Sequence, residues 1–422
     1  MSMRVQQLFL IGGLLFYMLL LSSLYLASAK RPVPENIMDI LPPVDRERIR
    51  SCQVESYRFI HRCVIAYSCA VSLLIVTDGL KAWFELFPDS PIIKALAADG
   101  TMAVIMAFML LTFRHVMKIR EAYRVGMKTW KSIRKRCYIC CAVLLLFFFL
   151  LFLLSITSSL ENVLKIIPPL LPYTLILLGA IALCISIIYA FLFLSSAPFP
   201  DGELSDRMQE ILRRNDIEDC TVRLKTIENN DRMNGCCMHL FRRRIIFLRF
   251  NPEEITDENK ILAIMAHEAG HCVNDRQWAS NMYAIALLVS IALMKAVSEY
   301  LAPTVENEVL LSVSSLLYMF IFMPIMCAAA LEHRRREEYK ADTFAVEQGY
   351  AEEMIGLLKN KQVAESTFLN PHPLLVKLTY THPPISQRIA AIDEKKATCF
   401  TIKEDMNHEI SSKEGDPNAS PD

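Results

Sequence analysis

Long apolar runs separated by short polar intervals dominate the first half of this chain and return after residue 277. Seven of them, at about 7–29, 59–80, 92–113, 137–159, 170–194, 278–298 and 308–331, match the roughly 20 residues a helix needs to cross a bilayer. The pattern predicts a polytopic α-helical membrane protein. Between the fifth and sixth runs the periodicity changes. Residues 202–216 have helical amphipathicity, whereas 219–226 and 243–250 read as strands, because Arg244-Ile245-Ile246-Phe247-Leu248 is too apolar and β-branched for a surface loop. Asn234-Gly235 falls between them as a turn or exposed edge. Asn251-Pro252-Glu253-Glu254 predicts a capped short helix, and a second start near Thr256-Asp257 leads into Lys260–Val273. The seventh run continues as a helix through Glu332–Gly349. From about Lys403 the chain is polar, without an aromatic after Phe400, and is expected to be disordered.

Composition agrees: 53% of residues are hydrophobic and mean hydropathy is +0.30. Lys+Arg and Asp+Glu are equal at 45 each, so no global field favours nucleic acid, and charge matters locally. Only Arg4 precedes the first run, while Lys30, Arg31, Arg46, Arg48, Arg50 and Arg58 follow it. Segment 114–136 is again rich in Lys and Arg. The positive-inside rule therefore puts the N-terminus in the lumen and leaves the 197–277 loop and the C-terminal tail in the cytosol. Ala27-Ser28-Ala29 resembles a signal-peptidase site, but the apolar run before it exceeds a signal-peptide core and the helix is expected to stay. The organisation expected is 1–196 with five spans and basic cytosolic loops (30–58, 114–136), a cytosolic insertion at 197–277, two spans within 278–331, a catalytic segment at 332–402 and a tail at 403–422. Asp78, Lys94, Asp99 and Lys295 lie in or near spans, as a polar interior or as headgroup-zone residues. The 13 cysteines imply no disulfide framework.

Chemistry enters at His267-Glu268-Ala269-Gly270-His271. Two histidines four apart share one helical face, and the glutamate beside them is placed to act on water at a metal: the HExxH pattern of zinc proteases. A third ligand must be another His, Asp or Glu. Glu338 is the strongest candidate, because Glu338 and Asp342 share a helical face, one to bind metal and the other to accept a hydrogen bond from a ligand imidazole. His333 is a weaker competitor.

These residues carry a resemblance to the type I CAAX prenyl proteases, integral-membrane zinc endopeptidases that process farnesylated proteins such as a-factor and prelamin A. The likeness covers motif, order and topology: five spans, HExxH, two spans, then Glu338-Tyr339-Lys340-Ala341-Asp342-Thr343-Phe344-Ala345, and further on Thr381-His382-Pro383-Pro384-Ile385-Ser386-Gln387-Arg388. Upstream, Asn234 and Arg243-Arg244-Ile245-Ile246-Phe247 are similar to the family's edge segment and following strand. The resemblance implies a gluzincin-type domain on the cytosolic side, a small β-hairpin with an edge strand, and seven helices enclosing a water-filled chamber. It implies one Zn2+ per chain on His267, His271 and Glu338, with Glu268 as general base. His382 and Arg388 would hold substrate and offset oxyanion charge, Asp342 would hold a ligand imidazole, Arg335 would brace the ligand helix, and Asn234 would hold the substrate backbone. It further implies a prenylated CAAX substrate, no nucleic-acid partner, a monomer, and an endoplasmic reticulum location. Cys236-Cys237 and Cys272 depart from the larger aromatic residues common in the family at those places, and Ala269 from its leucine. The alternatives are a membrane quality-control metalloprotease and a non-proteolytic scaffold that retains the fold.

Overall fold

Ile245, Ile246, Phe247 and Leu248 are consecutive and all buried, so the strand that carries them has protein on both faces. The rest of the sheet is arranged around that strand. The computed structural model describes residues 3–33, 40–76, 86, 108, 110–125, 193–217, 219–227, 233–240, 243–254, 257–273, 290, 317–365 and 367–414. In chain order its elements are α1 (Met3–Lys30), α2 (Pro43–Val76), β1 (Ala197–Pro198), α3 (Glu203–Arg214), β2 (Cys220–Thr226), β3 (Asn234–Leu240), β4 (Arg243–Phe250), α4 (Glu258–Val273), α5 (Met323–Glu347), α6 (Ala351–Glu365), α7 (Pro373–Thr379) and α8 (Ile385–Glu414). They fall into two compact units, one of residues 1–188, 283–329 and 363–379, the other of 189–282, 330–362 and 380–422.

In the first unit α1 packs on α2, with Tyr25 and Tyr57 stacked at 5.2 Å and Phe368 against both rings. Leu41, Ile49, Cys52, Ile119, Val125 and Leu369 form its described core. The amide of His372 donates to Ser28 Oγ at 2.9 Å, and Asn370 Nδ2 donates to the Pro32 carbonyl at 2.8 Å. Among the described residues, one helical segment, Gly12–Lys30, is long and apolar enough to cross a membrane. The expected second run lies in α2 as far as Val76, and the last enters α5. The runs expected at 92–113, 137–159, 170–194 and 278–298 lie mostly or wholly outside the described residues, as do Asp78, Lys94, Asp99 and Lys295.

The second unit holds a four-stranded sheet in the order β1-β2-β4-β3. β2 and β4 are parallel, and β3 returns antiparallel on the outer side of β4, with Asn234 opposite Arg249 and Leu240 opposite Arg243. Cys220, Val222 and Leu224 of β2 are buried on alternate positions, the period of a strand with one covered face. α3 buries Met208, Ile211 and Leu212, which fall on one helical stripe. It stops where Asp216 turns left-handed (φ 55°) and the amide of Ile217 returns to the Leu212 carbonyl at 2.9 Å, a Schellman closure that buries Ile217. α5 ends the same way at Gly349 (φ 93°), with the Tyr350 amide on the Ala345 carbonyl at 3.0 Å. The Asp257 carboxylate caps α4 by accepting the Asn259 amide at 3.1 Å. α4 packs on β3, β4 and α3, and every residue from Ile261 to Cys272 is buried.

Of the turn and the exposed edge expected at Asn234-Gly235, the structure has the edge: residues 234–240 form a full strand, because β4 offers them a complete row of backbone partners. One expectation changes. Residues beyond Lys403 continue α8 to Glu414. No Gly or Pro interrupts Ile385–Glu414, and Lys, Glu and Met help carry the helix past the last aromatic, so polarity alone misjudged this stretch. Phe247 of β4, 1% exposed, is among the largest fully buried side chains. Phe247→Ala should cost about 3–5 kcal/mol, read as a lowered unfolding midpoint of the purified chain.

Candidate metal centre

His267 and His271 lie one turn apart inside α4, their rings 4.8 Å apart between centroids and nearly perpendicular. Glu338 of α5 faces both: its Oε2 is 3.6 Å from His267 Nε2 and its Oε1 is 3.5 Å from His271 Nε2. One donor atom from each residue lies within 4.8 Å of the others, and all three residues are buried. Two imidazole nitrogens and one carboxylate converging on one point are the donor set of a catalytic zinc site, so these residues fit that ion.

Close backbone approach makes this convergence possible. A Cβ placed on Gly270 would lie 2.9 Å from Ala341 Cα and 3.0 Å from Phe344 Cβ, so α4 and α5 touch where a side chain would hold them apart. That contact puts Glu338 opposite the histidines and Asp342, one turn further on, opposite His267. Asp342 Oδ1 is 3.0 Å from His267 Nδ1, which turns Nε2 toward Glu338.

Arg388, in the first turn of α8, locks the arrangement. Its Nε donates to Asp342 Oδ2 at 2.8 Å and its NH2 to Oδ1 at 2.7 Å, while NH1 lies 3.4 Å from Glu338 Oε2. Burial opposes charge on all three groups, and pairing outweighs it. Arg388 holds the Asp342 carboxyl below its ordinary range, and the carboxylate holds the guanidinium above its own. Burial likewise pushes Glu338 up, but hydrogen bonds from His267 and His271, with the Arg388 charge, keep it far below the usual carboxylate range. Both carboxylates stay ionised.

The other expected site residues fall around this centre. The Glu268 carboxylate accepts the backbone amide of Cys237 at 2.8 Å, which fixes it between α4 and the edge strand β3. His382 is half exposed, with Nε2 3.4 Å from Glu338 Oε1 and Nδ1 2.9 Å from Thr381 Oγ1. Arg335 NH1 donates to the Tyr380 carbonyl at 2.7 Å and its NH2 to Glu332 at 2.8 Å, pinning the stretch before His382 onto α5. Asn234 is exposed at the start of β3, and its Oδ1 accepts the Gly235 amide at 3.0 Å. Among the described residues the cluster is His267, His271 and Glu338, without His333.

Sequence reasoning missed three contributors. A Cβ on Gly235 would lie 2.4 Å from Glu268 Cγ, so glycine is required there for the glutamate to sit against the strand. Its partner is a main-chain amide, that of Cys237, which no side-chain motif announces. Gly270 lay inside the motif as an unspecified position. The available signals were a glycine in an apolar edge strand and a glycine inside a helix, each disfavoured unless something approaches closely.

Residues 198–396 match the model of peptidase family M48. The CAAX prenyl protease 1 homolog of Arabidopsis thaliana is 23% identical over 253 residues, covering 54% of this chain and 58% of that protein. CAAX prenyl protease 1 of Saccharomyces cerevisiae is 25% identical over 186 residues, covering 37% and 39%. The homolog of Dictyostelium discoideum is 27% identical over 248 residues, covering 54% and 57%. The chain thus spans about half the length of the curated relatives it matches. The crystal structure of S. mikatae Ste24p superposes with a TM-score of 0.62 at 16% identity, over 92% of this chain and 98% of that one, so the two share a fold.

Two substitutions test the centre. Asp342→Asn should weaken zinc binding about 10–100-fold, measured by competition with a chelator. Gly270→Val should lower zinc content by forcing α4 from α5; zinc content equal to that of the unsubstituted chain would contradict the close-approach argument.

Proposed function

We propose that this chain is a member of the CAAX prenyl protease group of M48 metallopeptidases, to which residues 198–396 and its curated relatives are similar, and that it is a zinc-dependent membrane endopeptidase that releases the C-terminal tripeptide of prenylated CAAX proteins. The observation that carries this reading is the placement of Glu268. It is buried next to the His267–His271–Glu338 cluster and is held by an amide of the strand at the open edge of the sheet. A general base, a metal-binding donor set and a peptide-binding edge then meet at one place.

A zinc ion held by His267, His271 and Glu338 would supply Lewis acidity to the attacking water and the scissile carbonyl. Each remaining role belongs to the chain. The substrate adds as a strand along β3, its backbone paired with the edge that begins at Asn234. Glu268 takes a proton from the attacking water and delivers one to the leaving amine. The Cys237 amide, on Glu268 Oε2, holds that carboxylate in place. His382, half exposed beside Glu338, donates to the developing oxyanion. Arg388 acts differently from the expectation of a direct oxyanion contact: its donors face Asp342 and Glu338, so it positions the ligands instead.

The membrane belongs to the same reading. Seven helices enclosing a chamber, a cytosolic metal centre and an endoplasmic reticulum location place the chemistry beside a leaflet that receives prenylated tails, which partition into lipid through their hydrocarbon chains. The test uses a farnesylated CAAX peptide and its unprenylated counterpart with the purified chain. We expect tripeptide release from the prenylated peptide, its loss in Glu268→Ala with zinc retained, and little cleavage of the unprenylated peptide. Undiminished cleavage by Glu268→Ala would sink the mechanism. Equal cleavage of both peptides would replace the substrate reading with broad quality-control proteolysis.

A further inference from the structure

In the first unit, residues of α2 between Glu47 and Arg62 and residues between His115 and Tyr123 line a cavity of about 540 Å³, within the range of small-molecule sites. Arg50, Arg58 and Arg62 of α2 line it at four- or eight-residue spacing on one helical face, and His115 and Tyr123 face them from the helical stretch 110–122 and its end. Glu47 and Glu55 also line it, but each already accepts a hydroxyl, Glu47 from Ser51 at 3.2 Å and Glu55 from Tyr123 at 2.8 Å. Arg50 donates to the Lys30 carbonyl at 3.2 Å. Among the described residues, Arg58 and Arg62 have neither an ion pair nor a hydrogen bond. Three arginines against two glutamates leave a single positive charge in excess.

The same two helices turn apolar beyond the cavity. Ile65 and Leu73 follow Arg62 along α2 and are exposed, and Phe108 and Leu111 precede His115 and are exposed. Leu73 lies roughly 16 Å past Arg62 along the helix axis. Exposed aliphatic and aromatic side chains on two elements at once, one to three turns beyond the cavity's arginines, mark the level where hydrocarbon gives way to headgroups. A chain needing only inside-positive charge would leave these arginines scattered on the surface, with no shared cavity.

We propose that this cavity binds the phosphodiester headgroup of an anionic phospholipid, with Arg58 and Arg62 on the phosphate and the acyl chains lying along the exposed apolar residues. One excess positive charge suits a singly charged lipid better than a polyphosphorylated one. The proposal rests on the membrane-spanning reading and is independent of the peptidase chemistry.

Native mass spectrometry of the full-length chain in neutral detergent, titrated with phosphatidylglycerol, phosphatidylcholine or inorganic phosphate, tests it without reading activity. We expect phosphatidylglycerol to be held about thirtyfold more tightly than phosphatidylcholine, from two basic side chains near the headgroup, and inorganic phosphate to be neither retained nor competitive. Arg58→Gln with Arg62→Gln should remove the preference. Arg213→Gln with Arg214→Gln, on exposed α3 residues, should leave it intact. Equal retention of the two lipids, a preference that survives the Arg58/Arg62 change or falls equally in the α3 control, or occupancy by phosphate alone would each overturn the assignment.

Discussion

The bidentate pair between Arg388 and Asp342, buried and joined to His267 and Glu338, is the interaction on which the second unit depends. Charges cost several kcal/mol each to take out of water, so they persist inside a protein only when fully paired. Here the pairing crosses three elements: Arg388 opens α8, Asp342 and Glu338 lie on α5, and His267 lies on α4. Losing one partner would leave a buried charge uncompensated, a loss of about 3–5 kcal/mol for such pairs. The network that orients the candidate metal ligands also holds these helices to one another. Fold and chemistry therefore share a single set of contacts, and the ionised carboxylates that a divalent cation needs are already held ionised by Arg388 and the two imidazoles.

Much of this was legible from periodicity and spacing. β4 runs over the residues its apolar pattern indicated, α3 and α4 begin and end close to their expected limits, and Glu338 and Asp342 occupy the helical face that their four-residue spacing requires. The legible features are local, since caps, strand runs and i to i+4 pairs are encoded within a few residues. What stayed hidden is tertiary. Arg388 finds Asp342 across 46 positions, Cys237 offers a backbone amide, and Gly235 and Gly270 matter for what approaches them. Residues beyond Lys403 show the opposite error: a polar composition was read as disorder, although nothing in the stretch to Glu414 breaks a helix.

Three cysteines far apart in sequence influence one another: Cys272 and burial push the Cys220 thiol of β2 up, while the Cys272 thiol, pulled down by Cys220, is raised overall by Cys237 and burial. Glu268 is held through the main-chain amide of Cys237, a contact that does not depend on the side chain at that position.

This cysteine trio also supplies the sharpest contrast for the central claim that His267, His271 and Glu338 form the metal site. X-ray absorption at the zinc edge on the loaded chain measures ligand type and distance together. Coordination by nitrogen and oxygen alone, at about 2.0–2.2 Å, is the result expected. A sulfur shell near about 2.3 Å would place the ion on Cys220, Cys237 and Cys272 and contradict the account.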